Sequence, residues 1–319
     1  MLPDSTRSGL SSPPYESARA PFPQRSPGSV VPTTHGCGRD LLPCSTVERP
    51  DDLPDYASPP IDEVVLGVHF DMDGFSDALP FLFWQTVHAE YPNFSTQQRV
   101  FALDDDITRP PGLSEGPSQA LVKRLINNPG PRVWLEAIDP SFLLQLQDDM
   151  FTSNWRARGD PYPRFEALYE RFKVNWLALV SFLDAQELRP PTIRMFEVAY
   201  VNWIPQAAMA TVATCAQTVI TTGRGIGVAP VAQSHSMIYM LHEGDETIGR
   251  LTVDLNSARR AENDSWVDGT QMTLTCRFAP PGHAGTALPD ERYARSRDAI
   301  VQTFTDLTTA EARADWGQK

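Results

Sequence analysis

Residues 154–205, NWRARGDPYPRFEALYERFKVNWLALVSFLDAQELRPPTIRMFEVAYVNWIP, decide the fold, because they read as a long helix running straight into a long strand. Phe165, Leu168, Tyr169, Phe172, Trp176, Leu179 and Leu183 recur at the three-to-four-residue interval of one helical face, and Val174, Leu177 and Val180 widen the stripe. A face that broad has to be covered. Pro163 suits the first turn, where its missing N–H removes no helical bond, and Pro190-Pro191 stop the run. From residue 193 to 204 the spacing becomes that of extended chain, with Phe196, Val198, Tyr200 and Ile204 on one face. Met195, Val201 and Trp203 on the other face imply that both sides are covered. Glu197 and Asn202 are the polar exceptions and, if buried, each needs a hydrogen-bonding partner.

Working outward, a strand is predicted over residues 64–70, then a helix over 77–90 capped by Ser76, with Leu79, Leu82, Phe83 and Val87 inward. A short strand is expected over 99–103, an acidic and Pro/Gly-rich excursion over 104–131, and a hairpin of 133–138 with 141–147 around Asp139-Pro140. Beyond the central stretch, strands are predicted at 236–242, 250–255 and 271–278. In the last of these Met272, Leu274, Cys276 and Phe278 face in. An amphipathic helix over 290–306 carries Tyr293, Ile300, Val301 and Phe304, and Thr308 with Glu311 has capping-box spacing for a final turn.

Both halves open on a double proline and a long strand and close on a long helix. The expected fold class is therefore α+β, with antiparallel sheets each packed by a long amphipathic helix. Two similar β-α-β(n)-α halves, 59–189 and 190–317, would follow a disordered tail at 1–58, whose Pro, Ser, Gly and Thr cannot bury enough apolar surface to fold. One continuous sheet with both helices on one face is the alternative.

The chain has 319 residues and a formal net charge of −13, and no cluster of cations stands out, which argues against nucleic acid. Lysine occurs only at Lys123, Lys173 and Lys319. No export signal or membrane-length apolar run is visible. Cys37, Cys44, Cys215 and Cys276 lack paired spacing, so free thiols in a reducing cytoplasm are expected.

Several separated motifs resemble a sporadically distributed prokaryotic protein family of unknown function. They are PPIDEVV at 59–65, LQLQ at 144–147 leading to NWR at 154–156, YPRFE at 162–166, EVAYVN at 197–202, and the last helix through 304–316. The resemblance spans 59–317. It implies no catalytic residue, because the family has no established activity, and the N-terminal extension departs from its pattern.

The best polar and aromatic concentration is Asn154, Trp155, Arg156, Tyr162, Arg164 and Glu166, which with Glu197 and Asn202 makes up the candidate binding set. Two roles are open. Trp155 and Tyr162 can wedge the helix start while Arg156 or Arg164 pairs with Glu166 or Glu197. Alternatively, the two arginines serve as planar donors to a carboxylate or phosphate.

An enzymatic alternative comes from VHFDMDGF at 68–75, which resembles the first motif of haloacid-dehalogenase-type phosphohydrolases. That chemistry needs Asp71 as nucleophile, Asp73 as acid or base, Mg²⁺, and a parallel sheet, whereas the later strands read as hairpins. The glycine run at 223–227 mis-spaces a dinucleotide loop, and Asp104-Asp105-Asp106 lacks calcium-loop periodicity. The reading is thus a cytoplasmic, non-enzymatic binding protein with no cofactor, acting on a protein partner or small ligand. An apolar surplus, Trp84, Phe81, Met195 and Trp203 among it, points to an interface, a homodimer being one option.

Overall fold

The computed structural model describes residues 48–98, 107–108, 131–205, 234–262, 265–282 and 285–319. The strand expected at 99–103, most of the 104–131 excursion, the 223–227 turn, Lys123, Cys37, Cys44 and Cys215 lie outside the described residues.

Nine strands form one sheet in the order β2-β3-β4-β5-β1-β6-β9-β8-β7. In sequence they are β1 Ile61–Asp71, β2 Asn93–Gln97, β3 Arg132–Glu136, β4 Phe142–Gln147, β5 Met150–Arg156, β6 Thr192–Pro205, β7 Ser234–Glu243, β8 Glu246–Glu262 and β9 Ser265–Phe278. Every pairing is antiparallel. The expectation of separate sheets is corrected in that β1 and β6 pair along most of their length, joining the halves into one continuous sheet. In each half the first strand also pairs with the last, β1 with β5 and β6 with β9. The described helices are α1 Leu79–Val87, α2 Phe165–Ala185, α3 Asp290–Leu307 and α4 Ala310–Asp315. None of them is long and apolar enough to cross a membrane.

Alternation along the strands divides the sheet into two unlike faces. Val64, Leu66, Val68 and Phe70 of β1, Phe196 and Val198 of β6, and Leu274, Cys276 and Phe278 of β9 are fully buried on one side. The helices lie there: Phe172 stacks on Phe151, Trp176 meets Phe70, and Tyr293 of α3 packs edge-on to Phe196 and Phe278. Tyr169 and Tyr293, with ring centroids 4.8 Å apart, bring α2 and α3 together. Burying each such aromatic is worth about 1.5–3 kcal/mol, so this layer supplies the bulk of the core. The α2 stripe is narrower than expected, because Val174 and Leu177 are 64% and 61% exposed. In α1, Leu79 and Phe83 are buried but Leu82 points outward.

Local signals needed correction at the helix ends. Pro163 precedes α2 instead of sitting in its first turn. The residue at the N-cap is Arg164, at φ 76°. The cap of α4 is Thr309, whose hydroxyl accepts from the Ala312 N–H, while Thr308 donates back to the Phe304 carbonyl and ends α3. The folded part also begins before Pro59. Tyr56 is buried, its hydroxyl 2.7 Å from Thr305 Oγ1, and backbone bonds tie Ala57 to Gly317, Ser58 to Trp316 and Lys319 to Asp55. Residues 48–58 are therefore part of the fold, which shortens the predicted tail.

Candidate functional site

The face of the sheet opposite the helices carries polar side chains at positions that are nevertheless buried. Register aligns them in a row: Trp134 on β3 faces Gln145 on β4, then Thr152 on β5, Gly67 on β1, Glu197 on β6 and Arg277 on β9. Next to this row lies His69, two residues along β1 from Gly67. A shift in the β1–β6 register between His69 and Phe70 interrupts the pairing there, a local irregularity of the kind that re-aims side chains. All of these except Gly67, with Glu63, Asn154, Arg132 and Arg156, line a cavity of about 300 Å³.

Glu197 is the electrostatic centre. Its Oε2 accepts from Arg277 Nε at 2.6 Å and lies 3.5 Å from His69 Nε2. Burial alone would raise this carboxyl, but the Arg277 guanidinium and His69 outweigh it and hold the group below the usual carboxylate range. Neither ring nitrogen of His69 has a hydrogen bond among the described residues.

On the other flank, Thr152 donates to Asn154 Oδ1 at 2.9 Å, and Asn154 Nδ2 donates to Glu63 Oε1 at 2.5 Å. Burial raises Glu63 above its ordinary value, with the Asn154 bond opposing the shift. Arg156 pairs with Glu136 at 2.8 Å. The guanidinium carbons of Arg132 and Arg156 stand 5.8 Å and 5.9 Å from the Trp134 ring centroid. Arg132 is held below its ordinary value by loss of hydration, which outweighs the opposing pull of Glu63 and Glu197. The buried Nε atoms of Arg132 and Arg156, Nε1 of Trp134 and Oε1 of Gln145 have no partner among the described residues. Three donors and an acceptor thus border one cavity with no described residue to bond, and buried polar groups are rarely left so.

The residues singled out in the sequence fall on opposite faces. Asn154, Arg156 and Glu197 belong to the polar cavity. Trp155 points the other way and packs on Tyr162 at 5.5 Å, and Tyr162 shares a 2.9 Å hydroxyl contact with Tyr200. Asn202 donates to the Met272 carbonyl at 3.2 Å. Arg164 pairs with Asp55, and Glu166 with the fully buried Arg297. Tyr162, Arg164 and Asn202 border a second, smaller cavity of about 40 Å³ beside the 48–58 segment. Neither arginine pairs with Glu166 or Glu197. His69, Gly67, Gln145, Arg132, Trp134 and Arg277 were not anticipated, although a glycine inside a strand as apolar as VVLGVHF was a usable signal.

Asp71 and Asp73 sit at the exposed end of β1, whose neighbours both run antiparallel to it, and they pair with Arg194 at 3.1 Å and Arg189 at 3.7 Å. The parallel sheet that phosphohydrolase chemistry requires is not formed by the described strands. Among the described residues no grouping of three or more His, Cys, Asp or Glu could hold a metal ion. Cys276 is buried, donates to Ser296 Oγ at 3.1 Å, and is pushed up to about 12 by burial, so its thiol is chemically quiet.

No protein-family model matches the sequence, and no curated protein does. Among solved structures, a duplicated taurocyamine kinase from Schistosoma mansoni with bound transition-state-analogue components aligns at 11% identity and a TM-score of 0.34. The alignment covers 82% of this chain but 35% of the kinase, so the chain spans about a third of its length. A likeness this slight bears on neither fold nor activity.

Proposed function

We propose that the chain is a binding protein, not a catalyst, and that the polar face of its sheet holds a small polar ligand. The observation that carries this reading is the cavity of about 300 Å³ bordered by buried hydrogen-bonding atoms without partners. A volume of that order suits a small molecule and not a peptide. The absence of a recognised nucleophile–base pair in the row supports binding over turnover. The resemblance to a sporadically distributed prokaryotic family is part of the same proposal. So are descent from a duplicated β-α-β(n)-α unit, supported by the matching strand order of the halves, and a cytoplasmic setting, supported by the free Cys276.

Gly67→Val tests the reading. A Cβ at this position would sit 3.1 Å from Thr152 Cγ2, so the variant is made together with Thr152→Ser to relieve that contact. Polar fragments that raise the melting temperature of the native chain are expected to lose their effect in the filled variant. Fragments that act equally on both would place binding elsewhere and end the proposal.

A protein partner remains the second reading, favoured by one surface. Phe81 and Leu82 are 45% and 40% exposed, and Phe81 sits against Trp84 and Phe94 at ring distances of 5.5 Å and 5.9 Å. Light scattering that gives a dimer mass for the native chain and a monomer mass for Phe81→Asp would support a homodimer through this patch. A monomer at high concentration would remove it.

A further inference from the structure

We propose that the ligand of the polar cavity is a small monocarboxylate that also carries a hydrogen-bond donor. Its carboxylate meets Arg132, Trp134 and Arg156, and its donor meets Gln145. This rests on the ligand-binding reading above and names the class of molecule.

Gly67 is the first ground. It has no positive φ, so conformational freedom does not explain a glycine in the middle of the central strand. What the position lacks is a side chain: a Cβ there would stand 3.1 Å from Thr152 Cγ2 and 3.6 Å from Glu197 Cβ, so the glycine lets these two cavity-lining residues close in and keeps bulk off the floor of the row between them. The floor is fixed from beneath, since the Tyr293 hydroxyl on the helix side donates to the Gly67 carbonyl at 2.8 Å.

The unpaired donors are the second ground. Arg156 spends its Nη2 on Glu136 and the Pro140 carbonyl, which leaves its buried Nε beside those of Arg132 and the indole N–H of Trp134. Donors of this kind lower the energy of an oxyanion placed between them. Across the strand pair from Trp134, Gln145 is only 3% exposed and its Oε1 accepts from no described residue, which calls for a donor on the same ligand.

Charge decides between a carboxylate and a phosphate. Arg277 is matched by Glu197 and Arg156 by Glu136, whereas Arg132 makes no direct ion pair among the described residues and feels the charges of Glu63 and Glu197 only at longer range. One cation free of direct pairing, with two carboxylates already near it, suits at most one added negative charge. A dianion would bring a second negative charge close to Glu63 and Glu197 with nothing to offset it.

Backbone ¹H–¹⁵N spectra of the full chain, titrated with glycolate, acetate, glycolamide and inorganic phosphate, test the inference. Glycolate is expected to shift the amides of Gly67, Arg132 and Gln145 saturably and more tightly than acetate. Arg132→Met should weaken glycolate about tenfold or more. Arg132→Lys, which keeps the charge but loses the planar fork, should fall between, and Gln145→Leu should bring glycolate down to acetate. Phosphate binding as tightly as glycolate, or glycolate indifferent to Arg132, overturns the carboxylate. Glycolamide saturating the same amides with no dependence on Arg132 would leave the ligand-binding reading standing and this inference refuted. If no probe moves those amides at about 100 mM, both fall.

Discussion

At Glu197 two opposing effects act on one carboxyl: burial raises it, and Arg277 with His69 lowers it further than burial lifts it. A carboxylate with a depressed folded-state value contributes stability that is complete above its unfolded value, 4.5, and that is lost as pH falls toward the folded one. Glu63 has the opposite sign, because its raised value means that its charge costs stability at neutral pH and that protonation relieves the cost. Glu197→Gln leaves Arg277 buried without its partner and should cost about 3–5 kcal/mol at pH 7. Urea melts at pH 7 and in steps below pH 4.5 should show the gap between native and variant narrowing with acid. A gap that stays constant would mean that the carboxylate is not what Arg277 requires. Arg164 gives a second test at this scale. At φ 76° and ψ 155° it occupies backbone space suited to glycine, a strain of about 1–3 kcal/mol, while its ion pair with Asp55 is half exposed and worth about 0–1 kcal/mol. Arg164→Gly should therefore be more stable than Arg164→Ala by about 1 kcal/mol or more. The two melting temperatures check this, and equal values would show that the strain is not real.

Among the elements, those with a strong internal period could be read directly. The apolar stripe that begins at Phe165 located α2, and alternation through Phe196, Val198 and Tyr200 located β6 and both of its faces. What could not be read was register. Asn154 and Trp155 are neighbours in sequence, yet period two sends one to the polar cavity and the other to Tyr162, so a motif that looks like one cluster divides between two sides of a sheet. His69, Gln145 and Arg277 line one cavity only because four strand pairings align them, and no local pattern encodes that alignment. The 48–58 segment escaped for another reason: its composition is that of a linker, and its order comes from a partner 249 residues away, Thr305 against the Tyr56 hydroxyl. Tyr56 also packs edge-on to Phe304 at 5.6 Å. Tyr56→Ala should cost about 3–5 kcal/mol by cavity formation, whereas Tyr56→Phe, which loses only the hydroxyl bond, should cost about 0.5–1.5 kcal/mol. Chemical denaturation separates the two, and a negligible loss for the alanine variant would return the segment to the tail.

For the whole molecule, the question is whether the halves divided at residue 190 are independent. The described residues belong to one compact unit, Ser45–Lys319, and the seam between the halves is the β1–β6 ladder in the middle of the sheet, not a linker. Cutting there exposes two central strands whose partners were antiparallel neighbours on both sides, and it opens the aromatic contact of Tyr169 and Phe172 with Tyr293. It also divides the polar site, since His69 lies on one side of the cut and Glu197 with Arg277 on the other. An exposed central strand with an apolar face is an aggregation surface, so neither piece has a stable monomeric state to fall into. Expressed separately, residues 48–189 and 190–319 are expected to give collapsed or insoluble chains, and co-expressed they should recover a folded complex with the amide dispersion of the intact protein. Either piece alone giving a dispersed spectrum would show that a half carries its own core. The Glu197–His69 contact would then be a late addition between two self-sufficient units, not a product of the fold that joins them.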